Sequence, residues 1–398
     1  MTQPKSPPHL SRTDATFSAP IVTSRRWIEG VSFPAGRPLI NLSQAAPVEA
    51  PPESLRQAMA EYLLSTPQAH LYGPVLGMPE LREELAAEIA TRYDGSVGAA
   101  QVAITSGCNQ AFAAAMAALT GEGDEVILPT PWYFNHKMWL DMSGVRAVPL
   151  PTDAAMLPDP DQAAALITPR TRAIVLITPN NPSGAEYPGG LVRAFYELAK
   201  SRGLKLIVDE TYRDFDSREG RPHDLFSDPD WDRTFIHLYS FSKAYRLTGH
   251  RVGAMVTAPE LLLGVEKFID TVTICPSQIG QFAALTGIRT LGDWVRGERD
   301  EILARRDALA EGFGRLANLG WKLKGLGAYF AYVEHPFAED AQSLAQRLVH
   351  DASLLTLPAS MFVPQGDPTG ARHLRLAFAN TDSAGLAEVI DRLAALPV

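Results

Sequence analysis

From residue 101 onward, short apolar runs alternate with longer segments of helical length. The runs are Gln101–Thr105, Glu125–Pro129, Arg172–Pro179, Leu204–Glu210 and Thr234–Ser240. They are rich in β-branched and other apolar residues with little polar interruption, as strands buried on both faces require. Between them, Asn109–Leu119 and Gly190–Lys200 have the length and composition of helices. Such alternation predicts βαβ units: an α/β fold whose mainly parallel sheet carries helices on both faces. We assign residues 48–285 to this large domain. A long helix over Asp293–Leu319 then leads into a smaller α+β domain, residues 286–398, with strands near Tyr329–Val333 and His373–Phe378. Upstream, residues 1–20 read as a mobile arm rich in proline and hydroxyl groups. Prolines between Pro47 and Pro52 break the chain before an amphipathic helix near Glu53–Leu64. Residues 1–47 are assigned to an N-terminal arm joining the small domain.

Composition narrows the class of protein. Of the 398 residues, 46% are hydrophobic and 20% charged, which excludes disorder as the dominant state. Asp and Glu (45) outnumber Lys and Arg (36), and a net charge of −9 argues against nucleic acid as the main partner. Two cysteines, Cys108 and Cys275, are too few for a disulfide framework and fit a reducing compartment. The longest strongly apolar stretch, Ala111–Leu119, is less than half of the ~20 residues that span a bilayer. The first thirty residues show no hydrophobic signal core. The expectation is a soluble cytoplasmic protein with no membrane partner.

Ligands of open parallel sheets bind beyond the carboxyl ends of the strands, so the residues following each run carry the candidate chemistry. After the first run, Ser106, Gly107 and Cys108 open a helix, where small residues and the helix dipole suit a phosphate; a plain strand-to-helix turn is the alternative. After the third, Thr178–Gly184 is a turn carrying Asn180 and Asn181 between prolines, which also reads as a simple proline-rich loop. The fourth ends in Asp209, with Tyr212 three residues on. An acid at the end of a buried strand is costly unless paired, so it is expected to face a cation or a ligand nitrogen, with helix capping as the plain alternative. The fifth run leads into Ser240-Phe241-Ser242-Lys243. Lysines are scarce here, 8 against 28 arginines. Desolvation would depress the Lys243 pKa from its ordinary value of ~10.4 and make it a nucleophile suited to Schiff-base chemistry. Arg251, at the head of another strand-like run, could join Ser240 and Ser242 around an anion. A single such lysine would be an ordinary loop residue; four candidate sites at the ends of strands in one sheet are a different matter.

Together these groups suit a pyridine aldehyde bearing a phosphate, with Lys243 as nucleophile and Asp209 on the ring nitrogen. Asn181 and Tyr212 would face the phenolic oxygen, and the Ser106–Cys108 loop, Ser240 and Arg251 the phosphate. Trp132, Tyr133 and Phe134, in the run after the second strand, offer aromatic surface for stacking; core packing is their plain alternative.

At this point the chain resembles the class I/II pyridoxal-phosphate-dependent aminotransferases, of the fold type shared with aspartate aminotransferase. The likeness runs from about Asn41 to the end. It is carried by Tyr72–Arg82 (YGPVLGMPELR), Ser106–Gln110, the NNPSG turn, Asp209–Tyr212 (DETY), Ser240–Gly253 (SFSKAYRLTGHRVG) and His373–Phe378 (HLRLAF). The resemblance implies that Lys243 carries pyridoxal 5′-phosphate as an internal aldimine. It implies that Asp209 bonds the pyridinium, and that Tyr212 and Asn181 take the family's tyrosine and asparagine positions. It places the stacking aromatic on Tyr133, with Trp132 second, and the clamp for the substrate α-carboxylate on Arg375. It implies that Tyr72 reaches a neighbouring subunit's phosphate, hence a homodimer. Three departures stand out. Asn41–Pro47 replaces the family's G-x-P-D, which leaves Gln44 and Ala45 as substrate-side candidates. Cys108 stands where Ala, Ser or Thr is common. Thr273–Gln281 lacks the arginine carried by dicarboxylate-specific relatives of the animal and enteric type.

The expected activity is transfer of an amino group from an L-amino acid to a 2-oxo acid in two half-reactions. A neutral or aromatic donor is expected, with Trp27 and Tyr72 as candidate pocket walls and Arg25, Arg26 and Arg246 as the cations that would overturn it. A carbon–sulfur β-lyase on the same fold is the alternative. A cofactor-sensing transcription regulator is disfavoured, because the ~45 residues ahead of the fold show no helix-turn-helix pattern or basic excess. No H-E-x-x-H motif points to a metal.

Overall fold

The computed structural model describes residues 11–397 of the chain. The first strand in the chain, β1 (Ile40–Asn41), pairs in parallel with Leu354–Leu355, near the opposite end of the sequence. Seven strands follow: β2 (Val102–Thr105), β3 (Glu125–Thr130), β4 (Arg146–Pro151), β5 (Thr171–Ile177), β6 (Lys205–Asp209), β7 (Phe235–Ser240) and β8 (Gly253–Val256). They form one sheet in the order β2-β8-β7-β6-β5-β3-β4. Its pairs are parallel from β7 through β6, β5 and β3 to β4, while β8 runs antiparallel to both β2 and β7.

The period of two in a strand sends alternate side chains to opposite faces. Ile104, Ile127, Ile174, Leu176, Leu206 and Val208 enter the core on one face, against helices Pro79–Tyr93 and Gly189–Arg202. Ala103, Val126, Leu128, Val175, Ile207 and Leu238 enter the core on the other, against Cys108–Leu119 and Pro259–Thr273. Both faces are covered, which is why the runs show no polar alternation. Strand β4 is not foreseen from the sequence because it contains Pro149 and Pro151. It tolerates them as an edge strand, with both prolines on the exposed side and Val148 and Leu150 buried.

Beyond helix Gly292–Ala317, the strands β9 (Lys322–Gly327), β10 (Phe330–Glu334), β11 (Leu354–Leu355), β12 (Leu357–Pro358) and β13 (His373–Ala377) complete the architecture. All but β11 form a second sheet, in the order β12-β13-β10-β9. Its core gathers Trp321, Phe330, Leu344, Leu376 and Ile390, and it also takes in Leu42 and Ala45 from the N-terminal side and Tyr212 and Phe215 from the loop after β6.

From Ser11 onward the arm expected over residues 1–20 lies against the large domain; residues 1–10 lie outside the described residues. Arg12 pairs with Glu122 at 2.9 Å, and Thr16 Oγ1 donates to Asp141 at 3.1 Å. Pro20 then starts a helix, Pro20–Arg26, at the position where its missing N–H costs nothing.

Candidate active site

Strand direction brings the ends of β2, β3, β5, β6 and β7 and the start of β8 to one edge of the large sheet. The registers Thr105–Gly253 and Ser240–Gly253 fix this. A cavity of about 500 Å³ opens there. Its wall includes Cys108, Tyr133, Asn181, Asp209, Tyr212, Ser240, Ser242, Lys243 and Arg251 from the large sheet, Arg375 from β13, and Gln44 and Ala45 from the segment after β1.

Lys243 sits in a four-residue helix, Phe241–Ala244, capped by Ser240, whose Oγ accepts the Ser242 N–H at 3.2 Å. Its Nζ donates to the Ala45 carbonyl and lies 5.8 Å from the centre of the Tyr212 ring. Burial pulls its pKa down to about 7, and the charges of Arg251 and Arg375 push the same way. At neutral pH a large fraction of the amine is therefore unprotonated and nucleophilic.

Asp209 is buried, and burial alone would raise its pKa. His136 and Thr211 outweigh that and hold it below the ordinary value. Thr211 donates to Oδ1 through N–H at 3.0 Å and Oγ1 at 2.6 Å; His136 Nε2 stands 3.4 Å from Oδ2. His136 stacks on Phe112 at 3.8 Å between centroids, which fixes its ring. The result is an ionised acid in a cavity wall.

Arg375 is 2% exposed. Nη1 donates to Asn181 Oδ1 at 3.2 Å and Nη2 to the Ser43 carbonyl, but Nε has no partner. Phe330 and Phe362 lie about it at 5.1 and 4.9 Å. Burial lowers its pKa to about 10, so it remains charged at neutral pH. A buried cation with only neutral acceptors is costly unless an anion joins it.

Tyr133 donates to Asn109 Oδ1 at 3.3 Å and accepts from Asn135 Nδ2 at 2.9 Å; burial raises its pKa to about 12. Burial likewise pushes the Tyr212 phenol well up, and burial with the nearby Asp209 charge does so for the Cys108 thiol. All three enter the cavity uncharged. Its described wall thus carries two arginine cations, Arg251 and Arg375, and the partly protonated Lys243, against one acid, Asp209. That balance suits a ligand with more than one negative charge.

Not every expected residue reaches the wall. The Ser106 N–H is spent on Gln110 Oε1 at 2.6 Å, and Gly107 lies behind Arg251. Trp132 packs into the core, which leaves Tyr133 as the cavity aromatic. Tyr72 is 78% exposed, away from this chain's own cavity. Trp27 packs against the second core, and Arg246 is held by Glu49 and Glu298. Conversely, sequence reasoning missed His136, Asn109, Asn135, Ala19 and Ile21. The only signal for His136 was its place at the end of the aromatic run after β3.

A lysine amine of lowered basicity, an ionised aspartate and a buried arginine without an acid, all at one edge of a mainly parallel sheet, define an enzyme built for pyridoxal phosphate chemistry. The chain belongs to the aminotransferase class I and II family, whose model matches residues 37–393. It is 30% identical over 393 residues to the aspartate/prephenate aminotransferase of Thermus thermophilus, covering 96% of this chain and 95% of that protein. It is 31% identical over 346 residues to the arginine–pyruvate transaminase of Pseudomonas aeruginosa, covering 86% of each. The Thermus thermophilus aspartate aminotransferase solved with maleate superposes with a TM-score of 0.87 at 28% identity, over 97% of this chain and 99% of that one. The family is pyridoxal-phosphate-dependent, and this chain is a transaminase acting on amino acids and 2-oxo acids. The relatives named here are aminotransferases, which disfavours the carbon–sulfur lyase alternative.

The residues present fit the cofactor. Cys108 and Asn109 begin a twelve-residue helix at the cavity, where the first N–H groups and the dipole favour an anion. Arg251 packs over Gly107, where a Cβ would stand 2.2 Å from Arg251 Nη2 and where φ is +84°, a conformation that side chains rarely adopt. Residue 253 must be small too, since a Cβ would lie 2.7 Å from the Cys108 amide nitrogen. Arg251 itself takes a left-handed backbone, φ +51°, uncommon for a side chain of its size.

Proposed function

We propose that this transaminase prefers neutral amino acids, aliphatic or aromatic, as donors over aspartate and glutamate. One observation carries the reading. Once Lys243, Arg251 and Arg375 are committed to the cofactor and the α-carboxylate, the rest of the described wall is uncharged apart from Asp209.

In this reading Arg251, Ser240 and the Cys108 end of its helix hold the phosphate. Asp209, kept ionised by His136 and Thr211, would hold a proton on the ring nitrogen. Tyr133 would stack on the cofactor ring, and Asn181 and Tyr212 would hydrogen-bond its phenolic oxygen. Bound pyridoxal phosphate supplies the sink for the electron pair left at the substrate Cα. Arg375 grips the α-carboxylate by a two-pronged charge-assisted bond and thereby orients the Cα–H. Lys243, whose amine is in large part neutral at pH 7, would move the proton at the substrate Cα. Asn181, already bonded to Arg375, ties the cofactor side to the carboxylate side.

The same reading divides the chain into an arm (1–47), a large cofactor domain (48–285) and a small domain (286–398). Support comes from the second core, drawn mostly from residues after 286, and from the pairing of β1 with β11. It also makes the enzyme a homodimer. Leu64, Leu71, Tyr72 and Ile274 are exposed apolar side chains, and Gly73 N–H donates to Cys275 Sγ at 3.4 Å, so the 71–72 and 274 positions are neighbours. An apolar surface of this kind marks an interface. A cytoplasmic location accompanies it, supported by two free cysteines. The test is a single half-reaction without a 2-oxo acid. A transaminase stalls in the amine form after one equivalent and releases the 2-oxo acid; continuing release of ammonia would instead mark a lyase. Phenylalanine and methionine should react faster than aspartate.

A further inference from the structure

A second cavity, of about 690 Å³, lies at the start of helix Gly189–Arg202 and shares no wall residue with the first. Its wall carries seven arginines against four acids. Those acids, Asp214, Asp216, Glu219 and Asp224, each pair with one of the arginines. Arg213, Arg221 and Arg296 are left to acids outside the wall. Arg221 faces Asp94 at 3.6 Å and Arg296 pairs with Asp293, and both partners of each pair are exposed. Exposed pairs contribute little and exchange readily. Arg213 is different. Its side chain is 2% exposed, its guanidinium lies over the Tyr239 ring at 3.9 Å, and Nη2 donates to Glu88 at 2.6 Å. Nε and Nη1 have no hydrogen-bond partner among the described residues. Buried donors of a charged group are costly to leave unmade, so an acceptor is expected from a ligand.

The backbone offers further donors. Gly189 and Gly190 open the helix after Pro188, with no side-chain cap and no acid in the first turn. The first N–H groups of this fourteen-residue helix, and the positive end of its dipole, therefore meet the cavity. At residue 190 a Cβ would meet nothing within 4 Å, so packing does not demand glycine there. We propose that this cavity binds a compact polyanion, a diphosphate or a tricarboxylate, separate from substrate and cofactor. One anionic group takes the N–H groups of Gly189 and Gly190 and the spare donors of Arg213. A second is met by Arg221 and Arg296, which leave their exposed acids for it. Guanidinium forks suit phosphate and carboxylate oxygens alike. Arg213 directly follows Tyr212 in the chain, yet the two side chains line different cavities.

The test titrates the full-length holoenzyme, in which pyridoxal phosphate occupies the first cavity, with pyrophosphate and with citrate at constant ionic strength in a calorimeter. Saturating 3-phenylpropionate, a non-reacting carboxylate of phenylalanine's shape, keeps Arg375 occupied. About one equivalent of at least one probe should bind per chain regardless of it, and the tighter probe names the class of ligand. Gly190→Asp places a carboxylate at the helix start, where it suits the dipole. It should melt no lower than wild type while probe affinity falls at least about tenfold. Arg221→Gln combined with Arg296→Gln, two exposed changes, should weaken binding about tenfold and flatten its salt dependence. Gly314→Asp, the same charge change at an exposed helix position outside the cavity, should leave binding as it is. No binding of either probe, displacement by 3-phenylpropionate, binding that survives Gly190→Asp or the double arginine variant, or an equal loss in Gly314→Asp overturns the proposal.

Discussion

Replacing Arg375 separates a substrate clamp from a structural arginine, because the two roles move rate and stability in opposite ways. Its guanidinium is buried, with the Asn181 amide oxygen and the Ser43 carbonyl as acceptors and Nε unpartnered. Without substrate it is a desolvated charge with no acid beside it. In the proposed function, substrate makes it half of a buried ion pair. Truncating one partner of such a pair costs about 3–5 kcal/mol, which is about two to four decades in kcat/KM for Arg375→Ala. Arg375→Lys keeps the charge but loses the fork, and one lost charged hydrogen bond is worth about 1.5–3 kcal/mol, or about one to two decades. Stability should go the other way. Arg375→Met fills a site between Phe330 and Phe362 and removes an unpaired charge, so the melting temperature should hold or rise. Stopped-flow half-reactions with phenylalanine, with calorimetry on the same preparations, read both quantities. A rate for Arg375→Ala within about threefold of wild type, or a melting temperature for Arg375→Met that drops along with its rate, refutes the reasoning.

Three further outcomes follow from the site. His136→Phe keeps the stack on Phe112 but takes away a group that holds the Asp209 pKa down, so that pKa should rise. Activity should then fall away at a higher pH on the acid side, in a pH–rate profile measured against wild type. For Lys243, burial disfavours the ammonium, so the neutral amine predominates above about 7 instead of near the ordinary 10.5. The rate at which the cofactor-free protein takes up pyridoxal phosphate should therefore climb through pH 7 and level off by about pH 8, followed by absorbance; a climb continuing to pH 10 would contradict the assignment. Tyr72→Phe should lower cofactor retention on dialysis by about tenfold, the worth of one charged hydrogen bond, while sedimentation still shows a dimer; a fully active monomer would contradict the shared site.

Much of the fold was legible because the core strands are uninterrupted apolar runs whose alternate residues serve two buried faces. The helices Glu53–Ser65, Cys108–Leu119, Gly189–Arg202 and Gly292–Ala317 came out within a few residues of expectation. Strand β4 did not, since Pro149 and Pro151 speak against a strand and only the edge position excuses them. Lys243, Asp209, Asn181, Tyr212 and Arg251 were legible because each follows or precedes a strand at the ligand-binding edge. Arg375 was reached through the family resemblance alone, since it points inward from a different sheet. His136 was missed because its role depends on a contact with Asp209 across 73 residues, which no local pattern encodes. The anchoring of Ser11 onward, and the approach of Ala19 and Ile21 to the cavity, were hidden for the same reason: Arg12 and Thr16 find Glu122 and Asp141, far along the chain.

The central claim is that Lys243 is the nucleophile, and labelling tests it most directly. Borohydride reduction of the holoenzyme, digestion and mass spectrometry should place the reduced pyridoxyl group on the peptide containing Lys243. Lys243→Ala should fold, bind the cofactor without the reducible chromophore and be nearly inactive. Label on Lys137, or a reducible chromophore that persists in Lys243→Ala, would contradict the account.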